Sequence, residues 1–443
     1  MAGEASDRRR RSPGRVLVAS VVGTSLEWYD FFLYGTASAL VFNTLFFPNF
    51  EPLVGTLLAF ATYAVGFVSR PLGGIVFGHL GDRVGRKGVL VATLLVMGGA
   101  TVLIGLLPTY AQWGVAAPLL LVALRFVQGL GLGGEWGGAV LMAMEHGAPD
   151  RRGLNASWPQ IGVPLGNLMA AAVLGAGSVL LSEEAFLAWG WRVAFLLSGV
   201  LLLVGLWIRT SIPESPLFAE AAKAGRTARM PLLEVIREHP RGLLVAMGSR
   251  IGTDVAFYTF TLYILTFLTQ DLGLPRSTGL TAVLIGSACQ LVLIPLFGAL
   301  SDRVGRRPVY AAGAVAAGLW VFAFFPLLST QSEPVIVLAT VVALATHAAM
   351  YGPQAAFVAE LFSTRLRYSG ASMGYQIAGV LGGAVAPIVS IALAAATGTP
   401  FAVSFYVLAM LLLTLVALAL APETAHVDLS DERPDAVRAG AGT

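Results

Sequence analysis

The chain is 443 residues long, 56% of them hydrophobic and 12% charged, with a mean hydropathy of +0.77 and a formal charge of +3. Soluble domains carry about 25% charged residues, so this composition excludes a chain that is solvated over most of its surface and asks for lipid around it. The single cysteine, Cys289, lies in an apolar run and excludes an internal disulfide, and the small net charge points to no nucleic-acid partner.

Residues 1–15 are polar and basic (Arg8 to Arg11, Arg15) and read as a disordered arm. A membrane-crossing helix needs about 20 apolar residues. Runs that qualify lie near 16–46, 53–80, 88–107, 117–144, 154–181 and 193–211. The first of them is too long for a secretory signal and has no small-residue cleavage site, so it reads as a permanent span. A polar linker over 212–240 follows, then runs near 241–269, 278–300, 308–328, 334–361, 370–396 and 401–421. The stretch 423–443 is acidic and poor in apolar residues, and is expected to be disordered. The expected architecture is all-α, with twelve spans in two halves, 16–211 and 241–422.

The halves are related by a duplicated decapeptide. Gly78-His79-Leu80-Gly81-Asp82-Arg83-Val84-Gly85-Arg86-Lys87 returns 220 positions later as Gly298-Ala299-Leu300-Ser301-Asp302-Arg303-Val304-Gly305-Arg306-Arg307, identical at seven of ten places. Each copy joins the second and third spans of its half, which is the mark of an internally repeated membrane protein. A second pattern repeats with it. Glu145 closes span four ahead of Arg151 and Arg152, and Glu360 closes span ten ahead of Arg365 and Arg367. These acids and bases are candidates to pair with Asp82, Arg83, Arg86, Asp302, Arg303 and Arg306 as latches that hold one conformation and break in another. The plain alternative is that they are only topology signals and helix ends.

Orientation follows from the basic residues. With both termini inside, 23 of the 28 Lys and Arg residues fall on the cytoplasmic side, while only Arg192 and Arg276 fall outside. Such asymmetry is what the positive-inside rule requires. The remaining three, Arg70, Arg125 and Arg250, lie inside spans. A charge within the bilayer is expensive and is a functional candidate by default. At 1.5 Å of rise per residue, Glu27, Arg70 and Glu135 each sit about 15 Å from the cytoplasmic ends of spans one, two and four. Asp30 is a turn above Glu27, with Tyr34 another turn on; Arg125 is placed to reach an acid of span one from the outer side.

The chemistry these residues suggest is a guanidinium that grips an anion beside a carboxyl that takes up a proton. Arg keeps its charge and its planar fork grips a carboxylate through two hydrogen bonds. Arg70 is the expected anchor, with Glu27, Asp30 and Glu135 as proton carriers and Arg125 as the partner of one of them; the alternative is a set of structural salt bridges. In the second half Arg250 and Asp254 lie four apart, the spacing at which such a pair satisfies itself. Tyr258 continues their face. His347, Tyr351 and Gln354 form a stripe on span ten, and Gln128, Gln160 and Asn167 are further candidates to line a cavity and contact substrate. The run Gly129-Leu130-Gly131-Leu132-Gly133-Gly134 satisfies G-x-G-x-x-G but lacks the strand-to-helix turn of a nucleotide site, so it reads as glycine packing between helices.

Two six-span halves with G-x-x-x-D-R-x-G-R-[KR] after span two of each resemble the major facilitator superfamily. Within it the chain is similar to the metabolite:proton symporter family. The stretches that carry this likeness are Leu26-Glu27-Trp28-Tyr29-Asp30-Phe31-Phe32-Leu33-Tyr34-Gly35, Arg70-Pro71-Leu72-Gly73-Gly74, Arg125-Phe126-Val127-Gln128-Gly129 and Gly133-Gly134-Glu135-Trp136-Gly137-Gly138. Trp189-Gly190-Trp191-Arg192, Pro213-Glu214-Ser215-Pro216, Ala359-Glu360-Leu361-Phe362 and Arg367-Tyr368-Ser369-Gly370 complete them. The shikimate-permease branch is the most similar, beside carriers of α-ketoglutarate and of proline or betaine. The resemblance implies a functional monomer that works by alternating access. It would take up a small carboxylate-bearing metabolite with protons, driven by the proton gradient and no bound cofactor. Competing readings are an efflux antiporter, which would want a more apolar cavity, and a non-transporting metabolite sensor. An enzyme is not expected.

Overall fold

The computed structural model describes residues 13–84, 86–133, 140–141, 143–144, 149–211, 231–363 and 366–425. Most of the basic arm and of the linker, the Pro213–Pro216 stretch, the tail beyond 425, Arg365, Glu135 and Glu145 lie outside the described residues. So do the side chains of Asp82, Arg83 and Arg86, although the backbone around them is helical.

Among the described residues the chain folds into twelve long helices. In the first half α1 covers 13–46, α2 Pro52–Val84, α3 Arg86–Leu106, α4 Ala116–Leu132, α5 Arg152–Leu180 and α6 183–211. A short linker helix, Pro231–Glu238, leads into the second half. There α7 covers Pro240–Asp271, α8 Arg276–Val304, α9 Arg306–Leu328, α10 Glu333–Glu360, α11 Arg367–Thr397 and α12 Phe401–Leu420. Nine helices among the described residues are long and apolar enough to cross a membrane by themselves. Helical backbone is what lipid demands, because every N–H and C=O is satisfied within its own segment.

The halves meet along two seams, α5 against α8 and α10, and α2 against α11. Glycines set how closely the helices approach. A Cβ on Gly129 of α4, or on Gly133 just past its end, would overlap backbone oxygens of α2 at Gly66 and Arg70, so only glycine permits this contact. It carries Arg70 and Arg125 to neighbouring positions beside Phe31, whose ring both guanidiniums touch.

Part of the helix irregularity follows the duplication, while the π segments Phe186–Gly190 and Phe267–Asp271 have no counterpart among the described residues of the other half. A π segment in α1, Ser38–Phe42, has its counterpart in α7 at Thr259–Tyr263, one residue off the spacing of the decapeptides. Another, Gly379–Ala384 of α11, falls where α5 carries Pro159 and Pro164. Proline and glycine both loosen the helical ladder, and neighbouring helices re-satisfy what is freed.

Two boundaries differ from the sequence expectation. Helix α6 begins at Glu183 rather than near 193, because Ser182 caps it by accepting from Ala185 N–H at 3.2 Å. Arg192 is accommodated within it by donating to the carbonyls of Gly105 (2.8 Å) and Leu107 (2.5 Å). The start of the expected disordered tail is instead docked. The Glu423 carboxylate accepts from the N–H groups of Arg306 (2.8 Å) and Arg307 (3.0 Å), the unpaired donors at the start of α9.

Candidate functional site

Arg70 lies inside the bundle on α2, 2% exposed, with Phe31, Phe67 and Trp28 around its guanidinium at 4.1, 4.7 and 5.2 Å from their ring centres. Rings offer a cation their electron-rich faces but no acceptor lone pair. Its Nε and Nη2 have no hydrogen-bond partner among the described residues. Among the described residues this buried guanidinium is held by rings, with those two donors unspent. Glu27 is buried on α1 beside Trp28, and Tyr258 of α7 closes the same space from the other half, its ring 5.8 Å from Phe67 and 6.3 Å from Tyr63.

Arg125 occupies the next cage, 4.3 to 4.8 Å from the rings of Tyr34, Phe31 and Tyr63. It differs from the expectation of an acid partner: no carboxylate among the described residues pairs with it directly. Its Nη1 donates to Gln128 Oε1, and Gln128 Nε2 donates to Thr101 Oγ1 at 2.7 Å. Asp30 accepts from Ser198 of α6 at 2.5 Å rather than from Arg125. The reason is the glycine seam, which draws Arg125 toward α2 and its rings, while Gln128, one turn on, takes the guanidinium. Tyr34 donates to Thr62 at 2.7 Å, so its hydroxyl is engaged within the first half.

In the second half Arg250 and Asp254 pair at 2.8 Å, as their spacing suggested. The stripe on α10 has other partners than a cavity. His347 Nδ1 meets Gln290 at 2.8 Å, Tyr351 stacks on His347, and Gln354 donates to the Tyr310 hydroxyl at 2.5 Å. Two expected lining residues of α5 instead join the halves: Asn167 donates to Ser287 at 3.1 Å and Gln160 to the Tyr351 carbonyl at 3.5 Å. Sequence reading passed over Trp28, Phe31, Phe67 and Tyr63, because aromatic residues in a span look like ordinary packing.

The decapeptide end of the bundle is closed by a charged cluster. Arg306 donates to Asp302 at 2.7 Å, to Ser301 at 2.9 Å and to both oxygens of Glu360 at 3.3 Å. Asp302 then crosses to the first half, accepting from Gly153 N–H at 2.7 Å and Leu154 N–H at 2.9 Å at the start of α5. Arg152 reaches Glu360 at 3.5 Å. It is Arg152 that crosses; Arg151 is largely exposed and among the described residues pairs only with its neighbour Asp150, because helix α5 starts at Arg152 and turns Arg151 outward. Arg303 is exposed. Arg367 is buried at the start of α11, and Gln376 of that helix donates to the Gly133 carbonyl at 3.1 Å. The opposite end is also bridged, by Arg276 with Glu183 and by Gln270 with Thr56 at 2.9 Å.

Two helical halves with buried charges at their seam, closed at either end by contacts between the halves, have the layout of a membrane transporter. The chain belongs to the major facilitator superfamily: the family described as sugar (and other) transporter matches residues 16–240, and the major facilitator superfamily itself matches 251–439. It is 44% identical over 424 residues to the inner membrane metabolite transport protein YhjE of Escherichia coli (strain K12), covering 94% of this chain and 96% of that one. To the shikimate transporter of the same organism it is 41% identical, over 86% of this chain and 87% of the relative. The glycine betaine/proline/ectoine/pipecolic acid transporter OusA of Dickeya dadantii is 32% identical over 95% and 86%. Among solved structures the D-xylose-proton symporter shares the fold with a TM-score of 0.73 at 20% identity, covering 93% of this chain and 98% of that chain.

Proposed function

We propose that the protein is a proton-coupled symporter that takes up a small carboxylate-bearing metabolite, with both termini in the cytoplasm. The observation that carries this reading is Arg70: a buried guanidinium at the seam, caged by rings, with Nε and Nη2 unpartnered among the described residues. A cargo carboxylate supplies the two acceptors that the fork lacks. The shikimate transporter among the relatives is in keeping with an acid as cargo. Coupling is assigned to the carboxyls of the first half, Asp30 first among them, with Glu27 and Glu135 as the other carriers. Asp30 is linked to Arg125 through Thr101 and Gln128. The units are a first half over 16–211, a linker over 212–240 and a second half over 241–422. The cluster of Asp302, Arg306, Glu360 and Arg152 serves as the cytoplasmic latch.

The test is uptake into proteoliposomes under an imposed inward proton gradient, with labelled shikimate, α-ketoglutarate, succinate, proline and glycine betaine. Accumulation of one acid that collapses with a protonophore is expected. Accumulation only when the gradient is reversed would make the protein an antiporter, and binding without accumulation would make it a sensor.

A further inference from the structure

We infer that Arg250 of α7 is a second substrate-contacting residue, and that the cargo therefore carries a second acceptor group, a hydroxyl or another carboxylate, away from the carboxylate on Arg70. The inference rests on reading Arg70 as the anchor. Each half supplies one buried guanidinium to the space beside the α2–α11 seam, and both are 2% exposed. Arg250 lies with its guanidinium 3.0 Å from the ring centre of Tyr375 on α11, the helix that packs on α2. Tyr258, one turn beyond Asp254, reaches across to Phe67. A Cβ on Gly383 of α11 would touch both Tyr258 and Phe67, at 2.6 and 2.9 Å, so the seam closes tightly there. Arg70 lies within electrostatic reach of Arg250 and Asp254.

The pairing of Arg250 is only half complete. Asp254 Oδ2 takes Nε at 2.8 Å, while Nη1 is buried with no hydrogen-bond partner among the described residues. A guanidinium has five donors in a fixed fork, and leaving one buried and unpaired is costly. Arg250 Nη1 is a donor beside the α2–α11 seam that an incoming oxygen atom would satisfy. An acid that grips Arg70 with one end and offers an oxygen to Nη1 with the other satisfies donors from both halves at once. Such a cargo ties the halves together. A one-ended acid leaves Nη1 unpaired, and a zwitterion brings its positive end toward a second guanidinium, so both fit less well than a hydroxylated acid or a diacid.

The experiment measures binding to the purified full-length protein in nanodiscs by calorimetry, using matched pairs: shikimate against cyclohexanecarboxylate, and succinate against butyrate. Glycine betaine is included as the zwitterion. The wild type is expected to prefer the two-ended member of at least one pair by tenfold or more. R250Q should erase that preference while leaving the one-ended acid within twofold. D254N frees the fork and should tighten the two-ended acid at least threefold, which keeps the inference testable if R250Q fails to fold. Equal affinity within both pairs, unchanged preference in R250Q, or tightest binding of glycine betaine would overturn it. R70Q separates the two readings: it should weaken every acid, and if it weakens none the anchor assignment fails whatever Arg250 does.

Discussion

Asp302→Asn at the decapeptide end tests the latch most directly. In the closed arrangement the Asp302 carboxylate receives the backbone N–H groups of Gly153 and Leu154 across the seam, one on each oxygen, while Arg306 shares Oδ1. An asparagine keeps one oxygen and turns an NH2 toward the other donor. One bond across the halves is therefore lost and the survivor loses its charge. A hydrogen bond to a charged group contributes roughly 1.5–3 kcal/mol, so the closed form should lose about 2–4 kcal/mol. That shifts the ratio of closed to open forms by about 30- to 700-fold. Spin labels on Asp150→Cys and Val304→Cys, both exposed positions, in a Cys289→Ser background report the separation of these ends by pulsed electron resonance. D302N should move the distance distribution to longer values, and Asp302→Ala, which removes both acceptors, should move it further. A distribution in D302N that matches the parent would refute the latch.

Other perturbations follow from the same geometry. Arg70→Gln should reduce binding of the transported acid at least a hundredfold in equilibrium assays, because a carboxylate loses both arms of the fork; wild-type affinity would remove Arg70 from the site. Asp30→Asn should abolish accumulation driven by a proton gradient yet leave exchange of labelled for unlabelled cargo, which a counterflow assay reads. Gly129→Val places atoms against Ser69 Oγ and the Gly66 carbonyl; overpacking of this kind costs about 1–3 kcal/mol, and a thermal-shift assay should show a lower melting temperature. At the opposite end, Glu183→Arg should favour opening there by setting it against Arg276, and the exchanged pair Glu183→Arg with Arg276→Glu should restore the parental distances.

Helix number, the duplication and the class of protein were legible in the chain because each depends on a local or linear property. Hydropathy is summed along one span, and a repeated decapeptide is visible without folding anything. The pairing of Arg250 with Asp254 was legible for the same reason, since both sit on one helix four residues apart. Partner choice between helices was not. Two adjacent arginines stand before span five, and only the point where helix α5 begins sends Arg152 to Glu360 and Arg151 outward. Arg125 was expected against an acid, yet the glycine contact between α2 and α4 put it among rings beside Gln128. Gln160 and Asn167 look in sequence like lining residues, and the tertiary structure makes them ties across the seam. Such choices turn on an ångström of helix approach, which is set where glycines on one helix meet backbone on another.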